Sequence, residues 1–125
     1  MLEEITVIVD DRAGILADIG ELLGANKVNI ETLAATTYDD RGVVHLVVDD
    51  GEEAGEVLAA NGFKVEGVRP VMAATLDDRP GELGRYARRL AEAGVAVSSA
   101  YVAKRGNGET EIVFAVDDLE AAKRA

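Results

Sequence analysis

Asp10-Asp11-Arg12-Ala13-Gly14-Ile15-Leu16 returns 67 residues later as Asp77-Asp78-Arg79-Pro80-Gly81-Glu82-Leu83. Each copy follows a strand-like apolar run (Ile5, Val7, Val9 in one, Val71, Ala73, Thr75 in the other) and opens a helical pattern. The repeat extends beyond the loop at the same offset, pairing Leu23 with Leu90, Val28 with Val95, Ile30 with Val97, Val47 with Phe114 and Asp50 with Asp117. Apolar positions meet apolar positions with no gap, the signature of a tandem of one small unit.

In the first copy, Ile5 to Val9 alternates as a strand with one buried face. Ile15, Leu16, Ile19, Leu22 and Leu23 form one apolar helical stripe. Val28 to Tyr38 reads as a long strand, residues 39–42 as a turn, and Val43 to Val48 as the hairpin partner. A helix over Gly51 to Ala60 stops at Asn61-Gly62, and Phe63, Val65 and Val68 mark a closing strand. Asn26 and Gly94 read as stop signals of the first helix in each copy. Strand, helix, strand, strand, helix, strand is the split βαβ order, an antiparallel sheet with both helices on one face.

The second copy predicts a strand over Val71–Leu76, a helix over Pro80–Ala93, a hairpin of Val95–Lys104 with Thr110–Val116 turning at residues 105–108, and a helix from Asp117. It lacks a fourth strand, which leaves an edge to be covered or paired. The expected fold class is therefore α+β, two ferredoxin-like βαββαβ units over residues 1–69 and 70–125, the second without its last strand. Halves of 69 and 56 residues sit near the lower size limit for an independent core, so the units, or two chains, are expected to share buried surface.

Composition narrows the function. The net charge is −11, and residues 1–69 hold 15 acidic against 5 basic residues. Nucleic-acid binding needs a basic footprint, so it is not expected. The absence of cysteine excludes disulfides, thiolate metal sites and cysteine nucleophiles. The acidic start Met1-Leu2-Glu3-Glu4 lacks the basic region of a secretory signal, and no apolar run reaches the roughly 18 residues of a membrane span. A cytoplasmic protein without membrane contact is expected. His45, the single histidine, shares a strand face with Val43 and Val47 and reads as a packed or edge histidine rather than a ligand. No cofactor or metal is expected, and no nucleophile elbow, P-loop or carboxylate dyad points to catalysis.

The repeated loop admits two readings. Pro suits a first helical turn, and an aspartate just upstream can accept from free helix N–H groups, which makes a capped turn. The same free N–H groups suit a ligand carboxylate, and a neighbouring Asp suits an ammonium group, so a free amino acid would find both within one loop. A phosphate would meet two aspartates at close range.

The chain resembles a tandem of ACT domains, the regulatory modules attached to many enzymes of amino-acid metabolism. Asp78-Arg79-Pro80-Gly81-Glu82-Leu83 matches the family's Asp-x-Pro-Gly-x-Leu loop, Asp11-Arg12-Ala13-Gly14-Ile15-Leu16 matches it except at Ala13, and Val28-Asn29-Ile30 matches the start of its second strand. The resemblance implies a non-catalytic sensor that binds an amino acid where two units meet. Asp11 and Asn29 would then hold the ligand's polar ends, while Arg12, Ala13, Gly14 and Ile15 line it and Gly14 leaves room. The second loop, Asp78, Arg79, Pro80, Gly81, Glu82 and Leu83, would be the equivalent site. There Ala96 replaces Asn29, which makes the first copy the better site. A homodimer and a metabolic-enzyme partner are the implied assemblies. The competing class is a ligand-free interaction module that docks on an enzyme; an enzyme using the acidic loops is a third.

Overall fold

The computed structural model describes residues 1–125, whose backbone divides into Met1–Pro70 and Val71–Ala125. The first unit runs β1 (Glu3–Asp10), α1 (Ile15–Ala25), β2 (Thr32–Tyr38), β3 (Arg41–Val48), α2 (Gly51–Ala60) and β4 (Lys64–Pro70). Its four strands are antiparallel in the order β2-β3-β1-β4. The alternation in β1 decides which face is covered: Ile5, Val7 and Val9 pack with Val44, Leu46 and Val48 of β3. Ile19 and Leu23 of α1 and Ala54 and Leu58 of α2 close over that same face. Leu16 departs from the expected stripe and stays 46% exposed.

The second unit runs β5 (Met72–Asp77), α3 (Glu82–Glu92), β6 (Val97–Gly106), β7 (Glu109–Val116) and α4 (Leu119–Arg124), with strand order β5-β7-β6. Tyr86, Leu90, Ile112 and Phe114 form its core, and the Tyr86 and Phe114 rings lie 5.3 Å apart. The expected phase of its first strand is reversed. Met72, Ala74 and Leu76 pack on the core, not Val71, Ala73 and Thr75. Five of the six residues from Val71 to Leu76 are apolar, so that stretch offers little alternation to read.

Helix ends explain two further departures. α1 ends with Asn26 as its C-cap, one residue before Lys27, and α3 ends with Ala93, one residue before Gly94. Lys27 takes the left-handed conformation after α1 (φ 61°), as Gly94 does after α3 (φ 78°). In both, two amides turn back to the last turn: Lys27 to Gly24 and Val28 to Leu23, Gly94 to Ala91 and Val95 to Leu90. This is the Schellman arrangement. Asn26 assists by donating its Nδ2 to the Leu22 carbonyl at 2.9 Å. Because the Val28 amide closes the helix, the β2 ladder begins only at Thr32, and Val28-Asn29-Ile30 lies outside the strand.

The two units are not in gapless register. Ala35 lies opposite Val44, and its counterpart Val102 opposite Ile112, an offset of 67 on one strand and 68 on the other. The ladder then skips Ala103, a β-bulge after which every counterpart stands 68 residues on. Phe114 therefore matches Leu46 rather than Val47, and Asp50 matches Asp118 rather than Asp117. Both hairpins turn on two left-handed residues, Asp39-Asp40 and Asn107-Gly108. Two-residue turns of this kind follow the strand twist. Arg105 and Gly106, expected in the turn, belong to β6.

One buried charge was invisible in the sequence. Glu4 is fully buried, with its carboxylate on Arg69 (Nε to Oε1, 3.0 Å) and 3.8 Å from His45 Nδ1. His45 Nδ1 also lies 3.1 Å from the Thr6 hydroxyl, so the histidine packs on its strand face as expected. Glu3 points the other way and accepts from the Gly51 amide at 2.9 Å, at the start of α2.

That junction is tight. A Cβ at Gly51 would stand 2.7 Å from Glu3 Cβ and 2.8 Å from Val68 Cγ1. Gly51→Ala should cost about 1–3 kcal/mol through overpacking, read as a lower urea midpoint with unchanged slope. A variant as stable as the parent would contradict this packing.

Candidate ligand-binding site

Four helices begin in two different ways. Asp50 caps α2 and Asp118 caps α4, each carboxylate accepting from the amide three residues on (3.1 and 3.0 Å). Such caps contribute about 1 kcal/mol. At α1 and α3 the cap position is instead Gly14 (φ 88°) or Gly81 (φ 91°), and no side chain caps either helix. The upstream aspartates do not accept from these helix starts. First-turn N–H groups have no partner within a helix, so α1 and α3 keep donors that α2 and α4 satisfy.

Glycine is required here by conformation. A Cβ at Gly14 would meet only Arg12 Nη1, at 3.8 Å, but its φ is one that side chains disfavour. In the second loop Arg79-Pro80-Gly81-Glu82 forms a type II turn, with proline second, left-handed glycine third, and the Glu82 amide on the Arg79 carbonyl at 3.3 Å. Pro80 thus precedes α3 rather than starting it. Ala13 holds the matching place before Gly14.

Each loop is anchored to its hairpin. The Asp11 amide reaches the Asp40 carbonyl at 3.4 Å, and the Asp78 amide reaches that of Gly108 at 2.8 Å. Beside the first loop lies a cavity of about 280 Å³, lined by Asp11, Ile15 and Leu16 on one side and Ala35, Thr37 and Gly42 on the other. The corresponding cavity of the second unit holds about 170 Å³. The counterparts of Ala35, Thr37 and Gly42 are Val102, Arg105 and Thr110, all larger.

Charge separates the loops further. Asp78 accepts two hydrogen bonds from Arg105 Nη2, at 2.9 and 2.8 Å. The Ala103 bulge lies just before Arg105 in β6. Arg79 bonds Glu82 at 2.9 Å and lies 3.5 Å from Asp77, and Arg85 also bonds Glu82. Leu83 is 52% exposed beside them. In the first loop Arg12 turns to Asp18 (2.8 Å) and the Ala13 carbonyl (3.3 Å), while Asp11 forms no ion pair. Asp11 is the free carboxylate and Asp78 the neutralised one.

Asn29 is not part of this cluster. It precedes β2 at the end of the sheet where Thr32 faces Val47, whereas Asp11 follows the end where Asp10 faces Arg41. Six strand residues at about 3.3 Å each place these ends roughly 20 Å apart. Asn29 Nδ2 donates to Glu31 at 3.4 Å. Within the first unit the loop residues Asp11, Arg12, Ala13, Gly14 and Ile15 come together and Asn29 does not join them. Sequence reasoning missed Ala35, Thr37, Gly42 and Arg105. The available signal was their place at the hairpin end nearest the loop.

No helix is long and apolar enough to cross a membrane. The sequence matches the ACT domain pair family over residues 1–125. No curated protein matches it. Among solved structures it resembles a protein of Bacteroides thetaiotaomicron, with TM-score 0.84 and 20% identity over 98% of this chain and 83% of that one. It is also similar to the ligand-free regulatory subunit of aspartate kinase from Thermus thermophilus, with TM-score 0.76 and 18% identity over 98% and 89% of the two chains. The Thermus flavus regulatory subunit gives 0.73 and 19%, over 98% and 88%. At these identities the likeness is one of fold.

The Glu82 network has a pH signature. Hydrogen bonds from Arg85 first, then Arg79, hold the Glu82 carboxyl below its ordinary value, and the bond to Glu82 raises Arg79. A carboxyl held low favours the folded chain above its unfolded value, and that contribution disappears as pH falls through the lowered one. The Glu82 side-chain NMR midpoint should lie below the usual value of about 4.3 and rise in Arg85→Ala. A midpoint unmoved by that substitution would contradict the network.

Proposed function

The chain belongs to the ACT domain pair family, and from that premise we infer that it is a non-catalytic regulator binding one free amino acid at the first loop. The observation that carries this reading is the cavity of about 280 Å³ in which an ion-pair-free Asp11 stands beside the uncapped start of α1. The α1 amides suit the ligand's carboxylate and Asp11 its ammonium group. The second loop is the poorer site on two counts: Arg105 already neutralises Asp78, and larger residues narrow the cavity. The solved regulatory subunits of aspartate kinase support a regulatory role through fold.

Asn29 enters only from another unit, and a second copy of this chain is the proposed source. Leu16 and Leu33, exposed at 46% and 44%, are apolar surface of the kind a partner covers. A ligand held between two copies would favour the dimer by mass action, about 2.7 kcal/mol at a hundredfold excess over its dissociation constant. The same exposed leucines, one on α1 and one on the edge strand β2, favour a second reading, in which the loops bind nothing and this apolar surface docks on a metabolic enzyme.

A thermal-shift screen against the twenty amino acids separates the two. Binding of one or a related few should raise the melting temperature. Asp11→Ala and Thr37→Arg, the latter importing the second unit's arginine, should remove the shift, and Asp78→Ala should leave it. Asn29→Ala should weaken it if two copies form the site. A flat response at millimolar concentrations would favour the ligand-free module.

A further inference from the structure

A second cavity lies on the other side of the first loop, between the start of α1 and the turn joining α2 to β4. It holds about 380 Å³, within the range of roughly 300–1,000 Å³ typical of small-molecule sites. The two cavities share Val9, Asp10 and Ile15, whereas Asp11, Leu16 and Thr37 line only the first and Gly62, Phe63 and Lys64 only this one.

Its charge runs against that of the chain. The first unit has only five basic residues, Arg12, Lys27, Arg41, Lys64 and Arg69, and three of them line this cavity. Arg12 is held by Asp18, whereas Arg41 and Lys64 form no ion pair. The single acid in the wall is Asp10, directly across the ladder from Arg41. Cations gathered in one concavity repel one another, and a bound anion relieves that repulsion. Phe63 and Ile15, both half-buried, supply an apolar surface beside the charges.

We propose that this cavity binds a small organic monoanion, a carboxylate carried on a compact apolar body. Arg41 and Lys64 hold the carboxylate, and Phe63 and Ile15 cover the body. Arg offers a planar fork for a carboxylate and Lys a mobile point charge, so both contribute charge-assisted hydrogen bonds. Asp10 opposes a dianion such as phosphate more strongly than a monoanion. The one group here that could meet an ammonium, Asp10, stands directly across from Arg41, so this site favours a different class of ligand from the proposed amino acid.

The test is an amide NMR titration of the full chain with benzoate, its neutral isostere benzyl alcohol, and inorganic phosphate. Benzoate should shift the Ile15, Gly62 and Phe63 amides saturably, whereas benzyl alcohol should not at the same concentration. Arg41→Gln and Lys64→Gln, at exposed positions that leave the core intact, should each weaken benzoate about tenfold, as loss of a charge-assisted bond does. Asp11→Ala should leave benzoate binding unchanged, which keeps this site separate from the amino-acid reading. Absence of saturation overturns the proposal. So do equal binding by benzyl alcohol, displacement of benzoate by an equal concentration of phosphate, or indifference to both cation substitutions.

Discussion

The candidate site depends on a left-handed glycine placed where a strand becomes a helix. Gly14 and Gly81 turn the chain through a conformation that side chains disfavour, and in doing so take the position a capping side chain would hold. Each helix start is left without a side-chain cap. The fold can cap helices in the ordinary way, as Asp50 and Asp118 demonstrate. The two uncapped helices are both the first of their units, and both open from the repeated loop.

The two loops differ although each stands on the same strand-to-helix frame. One inserted residue, Ala103, is absorbed as a bulge on the exposed-edge strand β6. Beyond it Arg105 stands where the first unit has Thr37, and its guanidinium covers Asp78. Val102 and Thr110 complete the narrowing. The first loop keeps small neighbours and a free carboxylate on one side, and a concentration of positive charge on the other. A unit with 15 acidic residues against 5 basic ones thus places most of its basic residues around one loop.

The element order and most of the α1 face were legible because periodicity carries them directly, and glycine placement marked where each loop turns, though not how it turns. The register between copies was not. Ile112 to Val116 and Val43 to Val48 are nearly continuous apolar runs, so a one-residue slip exchanges one apolar side chain for another and leaves no trace in the pattern. The same absence of alternation hid the phase of β5. Glu3 and Glu4 look alike in sequence, yet the pleat sends one to a helix start and buries the other against Arg69. Asp11 and Asn29 share a motif in the family pattern, but only topology shows that strands separate them by the length of the sheet. The candidate site was readable as a loop. Its opposite wall was readable only after the hairpin was paired.

On the proposed reading the first loop is open to an amino acid and the second is closed by its own side chains. The most direct measurement is the amide NMR spectrum of the chain titrated with the twenty amino acids in pools, each at millimolar concentration. Saturable shifts are expected at Ile15, Leu16 and Thr37, with the Glu82, Leu83 and Arg105 amides unmoved. Equal responses at both loops, or none at the first, would contradict it.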